Sequence, residues 1–279
     1  MRELTHFSRL AETLMPWRQQ IVFVGGWAFR LYQYAPRAYK PDFGAIFTQD
    51  ADVAYAPRAP LEGDIKAALL GAGFSEEPNF SGDFKPPAMR YTLADADGFY
   101  AEFLTPLGGS SGWKRGKNPG ERVRDATAIN AGVVAQKLPH LEVLLHEPWL
   151  VTIPAEDSGL GEPVVGIQVP NPVSFMIQKI LIRDDRDPRK RAQDVLYIHD
   201  ALITFGAMIE DELGPAWKEL ERTLTSQQQK SVYTGVEALF GDVNDLIREA
   251  AGIPAGDRPN MDPAALLAVC QEGFGELFG

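Results

Sequence analysis

The sequence predicts an α/β (α+β) protein, with a small mixed β-sheet and flanking helices over residues 1–170 and an α-helical domain over residues 171–279. Three observations predict it. Ile21 to Val24 is a short apolar run that stops at Gly25-Gly26, and Trp27 to Tyr34 then has helical apolar spacing, so a strand, a glycine turn and a helix follow in order. Thr48, Asp50 and Asp52 alternate with Gln49 and Ala51 and lead into Val53-Ala54-Tyr55, so a strand puts both carboxylates on one face. From Gly206 to Gly279 the apolar spacing is helical throughout, as in Trp217, Leu220 and Leu224.

The remaining elements follow from local signals. Leu4, Phe7, Leu10 and Leu14 form a helical stripe that Pro16 ends. Pro60 to Ala72 reads as a helix closed by Gly71 or Gly73, and Phe74 to Phe84 as loop. Met89 to Ala94 and Phe99 to Thr105 read as strands of a hairpin around Asp95-Ala96-Asp97-Gly98, which makes the Asp95/Asp97 pair a turn rather than a metal site. Leu138 to Val151 is an apolar, strand-like segment, and its two histidines, His140 and His146, match no zinc spacing. Val164 to Val169 is a further strand. Asn171-Pro172 and Asp187-Pro188 each supply an N-cap and a proline at the first helical position, predicting helices from Val173 to about Ile182 and from Arg189 to about Phe205.

Composition narrows the function. At 279 residues, with 45% hydrophobic residues, the chain has material for two packed domains. A net charge of -11 argues against nonspecific nucleic-acid binding over the whole surface, and the acidic C-terminal region, with 13 acids against 5 bases after Phe205, would repel RNA. The single cysteine, Cys270, cannot form an intrachain disulfide, and MRELTHFSRL lacks the apolar core of a signal peptide. The expectation is a cytoplasmic protein with no membrane partner.

The chemistry-bearing residues are few. Two carboxylates side by side repel unless a cation sits between them, and hard oxygen ligands on a rigid strand suit Mg²⁺. Glu102 is a lone acid inside the apolar strand FYAEFL, where burial demands a cation or a hydrogen-bond donor; the alternative is a glutamate facing solvent. Gly108 to Arg124 carries Lys114, Arg115, Lys117, Arg122 and Arg124 against Glu121 and lacks a P-loop ending, so it either holds phosphate or is a solvated basic loop. Lys179 lies among Phe175, Met176, Ile180 and Ile182, which suits either a phosphate contact or an ion pair with Asp194.

The order strand, Gly-Gly, helix, Thr-x-Asp-x-Asp strand resembles the signature of the nucleotidyltransferase-fold superfamily, the DNA polymerase β-like group. The Gly-Gly-Trp-Ala form, with a later helical lysine at Lys179 and a basic residue, Arg191 or Lys190, followed by Asp194, is similar to the bacterial branch that includes AbiEii-type toxins and uncharacterised nucleotidyltransferase-like proteins. This resemblance implies that Gly25 and Gly26 lie at the nucleotide's phosphates, that Asp50 and Asp52 bind Mg²⁺ or Mn²⁺, and that Glu102 is the third carboxylate; Thr48 is a further nucleotide-binding candidate. Glutamate there departs from the commoner aspartate. Lys179 and Arg115 are the further nucleotide-binding candidates, in a cleft expected between the two domains.

The activity so implied is transfer of a nucleoside monophosphate from an NTP to an acceptor hydroxyl on RNA, protein or a small molecule, releasing pyrophosphate. Two alternatives stand beside it. One is a catalytically inactive relative serving as a binding or regulatory partner in a toxin-antitoxin or defence pair, with an antitoxin-like partner. The other is a metal nuclease, which would leave the Gly-Gly turn without a role. The sequence names neither the NTP nor the acceptor, and assigns no role to Gln33 to Phe47.

Overall fold

The computed structural model describes residues 2–41, 46, 48–79, 88–94, 98–108, 113–115, 122–124, 127–253 and 261–279. They form two compact units, Met1–Leu31 with Thr48–Val169, and Tyr32–Phe47 with Pro170–Gly279. The architecture is mixed α/β, and its second unit is helical. Among the described residues no helix is long and apolar enough to cross a membrane.

The first unit runs α1 (Arg2–Thr13), β1 (Ile21–Val24), α2 (Gly25–Leu31), β2 (Asp50–Tyr55), α3 (Ile65–Gly71), β3 (Phe74–Asn79), β4 (Ala88–Leu93), β5 (Tyr100–Pro106), β6 (Trp113–Arg115), β7 (Arg122–Arg124), β8 (Thr127–Asn130), β9 (Val133–Leu138), α4 (Leu141–Leu144), β10 (Trp149–Ile153), α5 (Ala155–Ser158) and β11 (Val164–Val169). Among the described residues, seven strands form one sheet in the order β1-β2-β5-β4-β3, with β9 beside β5 and β8 beside β9. The sheet is mixed because β2–β5 and β5–β9 are parallel and the other pairs antiparallel. The parallel β2–β5 pair requires a crossover, and residues 56–99 supply it with α3, β3 and β4. One side of β5 is shared, since β4 pairs with Tyr100 to Glu102 and β9 with Phe103 to Pro106.

The two sheet faces differ along their length. Phe23, Val53, Ala101, Tyr91 and Phe103 alternate onto one face and are almost fully buried. There Phe7 of α1 stacks on Trp27 with ring centroids 4.4 Å apart and meets Phe23 edge-on. The other face is apolar at one end only, where Val22, Val24, Ala54 and Leu104 pack with Leu141 and Leu144 of α4. Its other end carries the polar residues described below.

Three expectations need correction. Phe74 to Asn79 is not loop but β3, paired to β4 alone; Pro78 is tolerated because an edge strand can spare an N–H. The helix before it begins at Ile65 rather than Pro60, where the Asp64 carboxylate accepts from the Ala67 N–H. Leu138 to Val151 is not one strand: His140, at φ +57, turns the chain into α4, and β10 follows. Within the basic stretch Gly108 to Arg124, β6 and β7 pair antiparallel, and their neighbours lie outside the described residues. β4 and β5 pair as the predicted hairpin, whose Asp95 and Asp97 likewise lie outside them.

The second unit contains α6 (Pro172–Leu181), α7 (Pro188–Phe205), α8 (Gly214–Thr223), α9 (Ser226–Phe240), α10 (Asp245–Ala251) and α11 (Pro263–Phe278). The two proline-led caps form as the sequence predicts, Asn171 accepting from the Ser174 N–H and Asp187 from the Arg189 N–H. Every residue of α6 is buried. Tyr32 packs edge-on against Phe175 and Phe205, and its hydroxyl donates to the Pro170 carbonyl at 2.9 Å.

Candidate active site

The site grows from the end of β1. Val24 pairs with Asp52, so the chain turns at Gly25 directly beside the second aspartate. Gly25 has φ +67, and a Cβ built on it would lie 2.5 Å from Asp52 Oδ2. Glycine is therefore required twice over, by its left-handed backbone and by the carboxylate against it. Gly26 continues into the first turn of α2.

Asp50 and Asp52 alternate with buried Ala51 and Val53, which puts both carboxylates, half-buried, on the same face of β2. The Thr48 hydroxyl donates to the Asp50 carboxylate. The parallel register sets Tyr100 opposite Asp50 and Glu102 opposite Asp52. Glu102 thus shares the face of both aspartates. The Tyr100 hydroxyl registers their combined field. Burial, and then the charges of Asp50, Glu102 and Asp52, push its pKa up to about 12, against an opposing effect of Arg90.

Arg90 and Glu77, which no local sequence pattern marks, complete this surface. Arg90 of β4 lies opposite Glu102. Its Nε and Nη2 donate to Glu77 Oε2 at 3.1 and 2.8 Å, and its guanidinium carbon lies 5.6 Å from the Tyr100 ring centroid. The signal was present in the predicted hairpin, which fixes which residue of β4 faces Glu102 once its register is known.

Among the described residues no three His, Cys, Asp or Glu side chains converge closely enough to hold a metal ion. The donors on β2 and β5 are nonetheless all carboxylate oxygens beside a backbone cradle that a Cβ would fill at Gly25, which fits a hard divalent cation completed by substrate phosphates. His140 stands 4.0 Å from Glu142 and belongs to no such cluster.

Lys179 and Arg115 are the remaining candidates. Lys179, in the second unit, is buried and paired with Asp194, which also accepts from Arg186 Nε at 2.8 Å. The Lys179 ammonium lies 4.6 Å from the ring centroids of both Phe175 and Tyr197. Burial opposes ionisation of Asp194, but the charges and hydrogen bonds of Lys179 and Arg186 together hold its pKa below the ordinary value. Arg115 lies in β6, and its side chain, like those of Lys114, Arg122 and Arg124, is outside the described residues, as is Lys117 altogether.

The chain can now be set against known proteins. No curated protein sequence matches it. Among solved structures it is similar to MenT4, a nucleotidyltransferase toxin from Mycobacterium tuberculosis, with a TM-score of 0.38 and 15% identity over 99% of this chain and 82% of that one. The family profile described as Nucleotidyltransferase matches residues 3–221. That stretch takes in the glycine turn, both aspartates, Glu102 and the whole of α7, and the chain belongs to the nucleotidyltransferase family of enzymes.

Proposed function

We propose that the protein transfers a nucleoside monophosphate from an NTP to an acceptor hydroxyl with release of pyrophosphate, using Mg²⁺ or Mn²⁺ held by Asp50 and Asp52. The observation that carries this reading is the register that sets Glu102 opposite Asp52 while Gly25 abuts the Asp52 carboxylate. Backbone N–H groups at Gly25 and Gly26 would bind the triphosphate without a side chain in the way. Thr48 fixes the Asp50 carboxylate by its hydrogen bond. Glu102 would accept the proton of the attacking hydroxyl. The bound cation would neutralise charge on the transferred phosphoryl group and on the leaving pyrophosphate. Most of the rate in such chemistry comes from positioning and charge neutralisation rather than from covalent steps.

The acceptor is the 3′ end of an RNA, a protein hydroxyl or a small molecule, and acceptor choice lies in pocket shape rather than in these residues. An antitoxin-like partner belongs to the same reading, as the sequence resemblance to AbiEii-type toxins implies. A second reading, a nucleotide-binding or regulatory protein that has lost turnover, is favoured by glutamate at position 102, where the commoner pattern has aspartate.

Pyrophosphate release tests both readings. The full chain is incubated with each of the four NTPs, Mg²⁺ or Mn²⁺ and total cell RNA, beside Asp50→Asn. Release that falls at least about 100-fold in Asp50→Asn supports turnover at this site. Equal release by the variant overturns it. Absence of release together with calorimetric binding of metal–NTP supports the second reading.

A further inference from the structure

The strand register lays two polar rows across the sheet on the face of the aspartates. One row runs Asp52, Glu102, Arg90, Glu77 across β2, β5, β4 and β3, and the other Asp50, Tyr100, Thr92, Ser75. Directly opposed side chains stand about 5 Å apart at Cβ, so Arg90 is as near a neighbour of Glu102 as Asp52 is. It is the one cation in these two rows, against Asp50, Asp52, Glu102 and Glu77. Its side chain is about two-fifths exposed, but Glu77 accepts from two of its N–H groups, and its guanidinium carbon lies 5.6 Å from the Tyr100 ring centroid.

A fixed guanidinium beside Glu102 and a divalent cation beside Asp52 repel each other. For a unit charge and a doubly charged ion about 7 Å apart, even the dielectric of water leaves a repulsion of about 1 kcal/mol, which weakens metal binding by about tenfold. The phosphates of a nucleotide reverse the balance, because they attract both cations at once. We propose that Arg90 is a resident counter-cation that keeps binding of the bare metal weak, so that the divalent ion enters as its complex with the nucleotide. The proposal rests on the reading of Asp50 and Asp52 as the metal-holding pair. It makes Arg90 a determinant of the order in which ligands are taken up, a role separate from chemistry on the acceptor.

Calorimetric titration of the full chain with Mn²⁺ alone tests it, repeated with Mn²⁺ and each nucleoside 5′-(α,β-methylene)triphosphate. Arg90→Gln should bind bare Mn²⁺ about tenfold more tightly and show no such gain for the Mn²⁺–nucleotide complex. Arg90→Lys, which keeps the charge, should behave as the unaltered chain and so separates charge from lost packing. Unchanged or weaker bare Mn²⁺ binding in Arg90→Gln overturns the proposal, as does an equal gain in the presence of the nucleotide. Asp52→Asn distinguishes the deeper failure: if it leaves Mn²⁺ binding intact, the metal is held elsewhere and the reading beneath the proposal falls with it.

Discussion

Replacing Gly25 with alanine should damage the protein in two separable ways. The left-handed backbone at φ +67 penalises a Cβ by about 1–2 kcal/mol. The new methyl would lie 2.5 Å from Asp52 Oδ2 and 3.5 Å from its Cγ, so the carboxylate must rotate off its rotamer, a further 0.5–1.5 kcal/mol or about that. Together these remove about 2–3 kcal/mol, which lowers the melting temperature of a chain this size by roughly 4–12 °C. Activity should fall further than stability, by about 100-fold, since a displacement near 1 Å at a carboxylate proposed to hold the metal spoils reactive geometry. Circular-dichroism melts and pyrophosphate release measure the two effects. The decisive comparison is a double-mutant cycle with Asp52→Ala, which removes the atoms that the methyl strikes. The backbone penalty should persist while about 1 kcal/mol is recovered. If the two substitutions instead add to within about 0.3 kcal/mol, the close approach of Gly25 to Asp52 is refuted.

Two further outcomes concern the second unit. Asp194 has a lowered folded pKa, so its contribution to stability is fully present above the unfolded value near 4 and is lost as pH falls through the folded value. Asp194→Asn should therefore lack that acid-side loss, and at neutral pH it should be about 3 kcal/mol less stable because Lys179 is left buried without its partner carboxylate; denaturant titrations from pH 3 to 7 read both, and parallel curves would contradict the pair's role. Asn171→Ala removes the acceptor for the buried Ser174 N–H and should reduce stability by about 1–2 kcal/mol, seen as a lower denaturation midpoint with unchanged slope.

What could be read from the sequence was whatever a few neighbouring residues determine. Gly25-Gly26, the alternation of Asp50 and Asp52, and the caps at Asn171 and Asp187 are local patterns, and each appears where its spacing puts it. Glu102 was legible because a single acid in an apolar strand has to be accounted for. Arg90 and Tyr100 were not, since their place beside the acids depends on cross-strand register, a property of residues far apart in the chain. β3 was hidden by Pro78 and two glutamates, a composition that suits both a loop and an edge strand. β6 and β7 span three residues each, too few for any periodicity to show.

The path of the chain between its two units has a mechanical consequence. It passes from one to the other after Leu31, after Phe47 and again after Val169, so no single cut separates them. A fragment ending at Val169 would keep Tyr32, now 1% exposed, while losing Pro170, Phe175 and Phe205, against which that ring is seated. The glycine turn and the aspartate strand are thus tethered to each other through a segment anchored among the helices. The lifetime of the surface that carries the aspartates follows the unfolding of the helical unit as well as that of its own sheet, and the protein is to be dissected by substitution rather than by truncation.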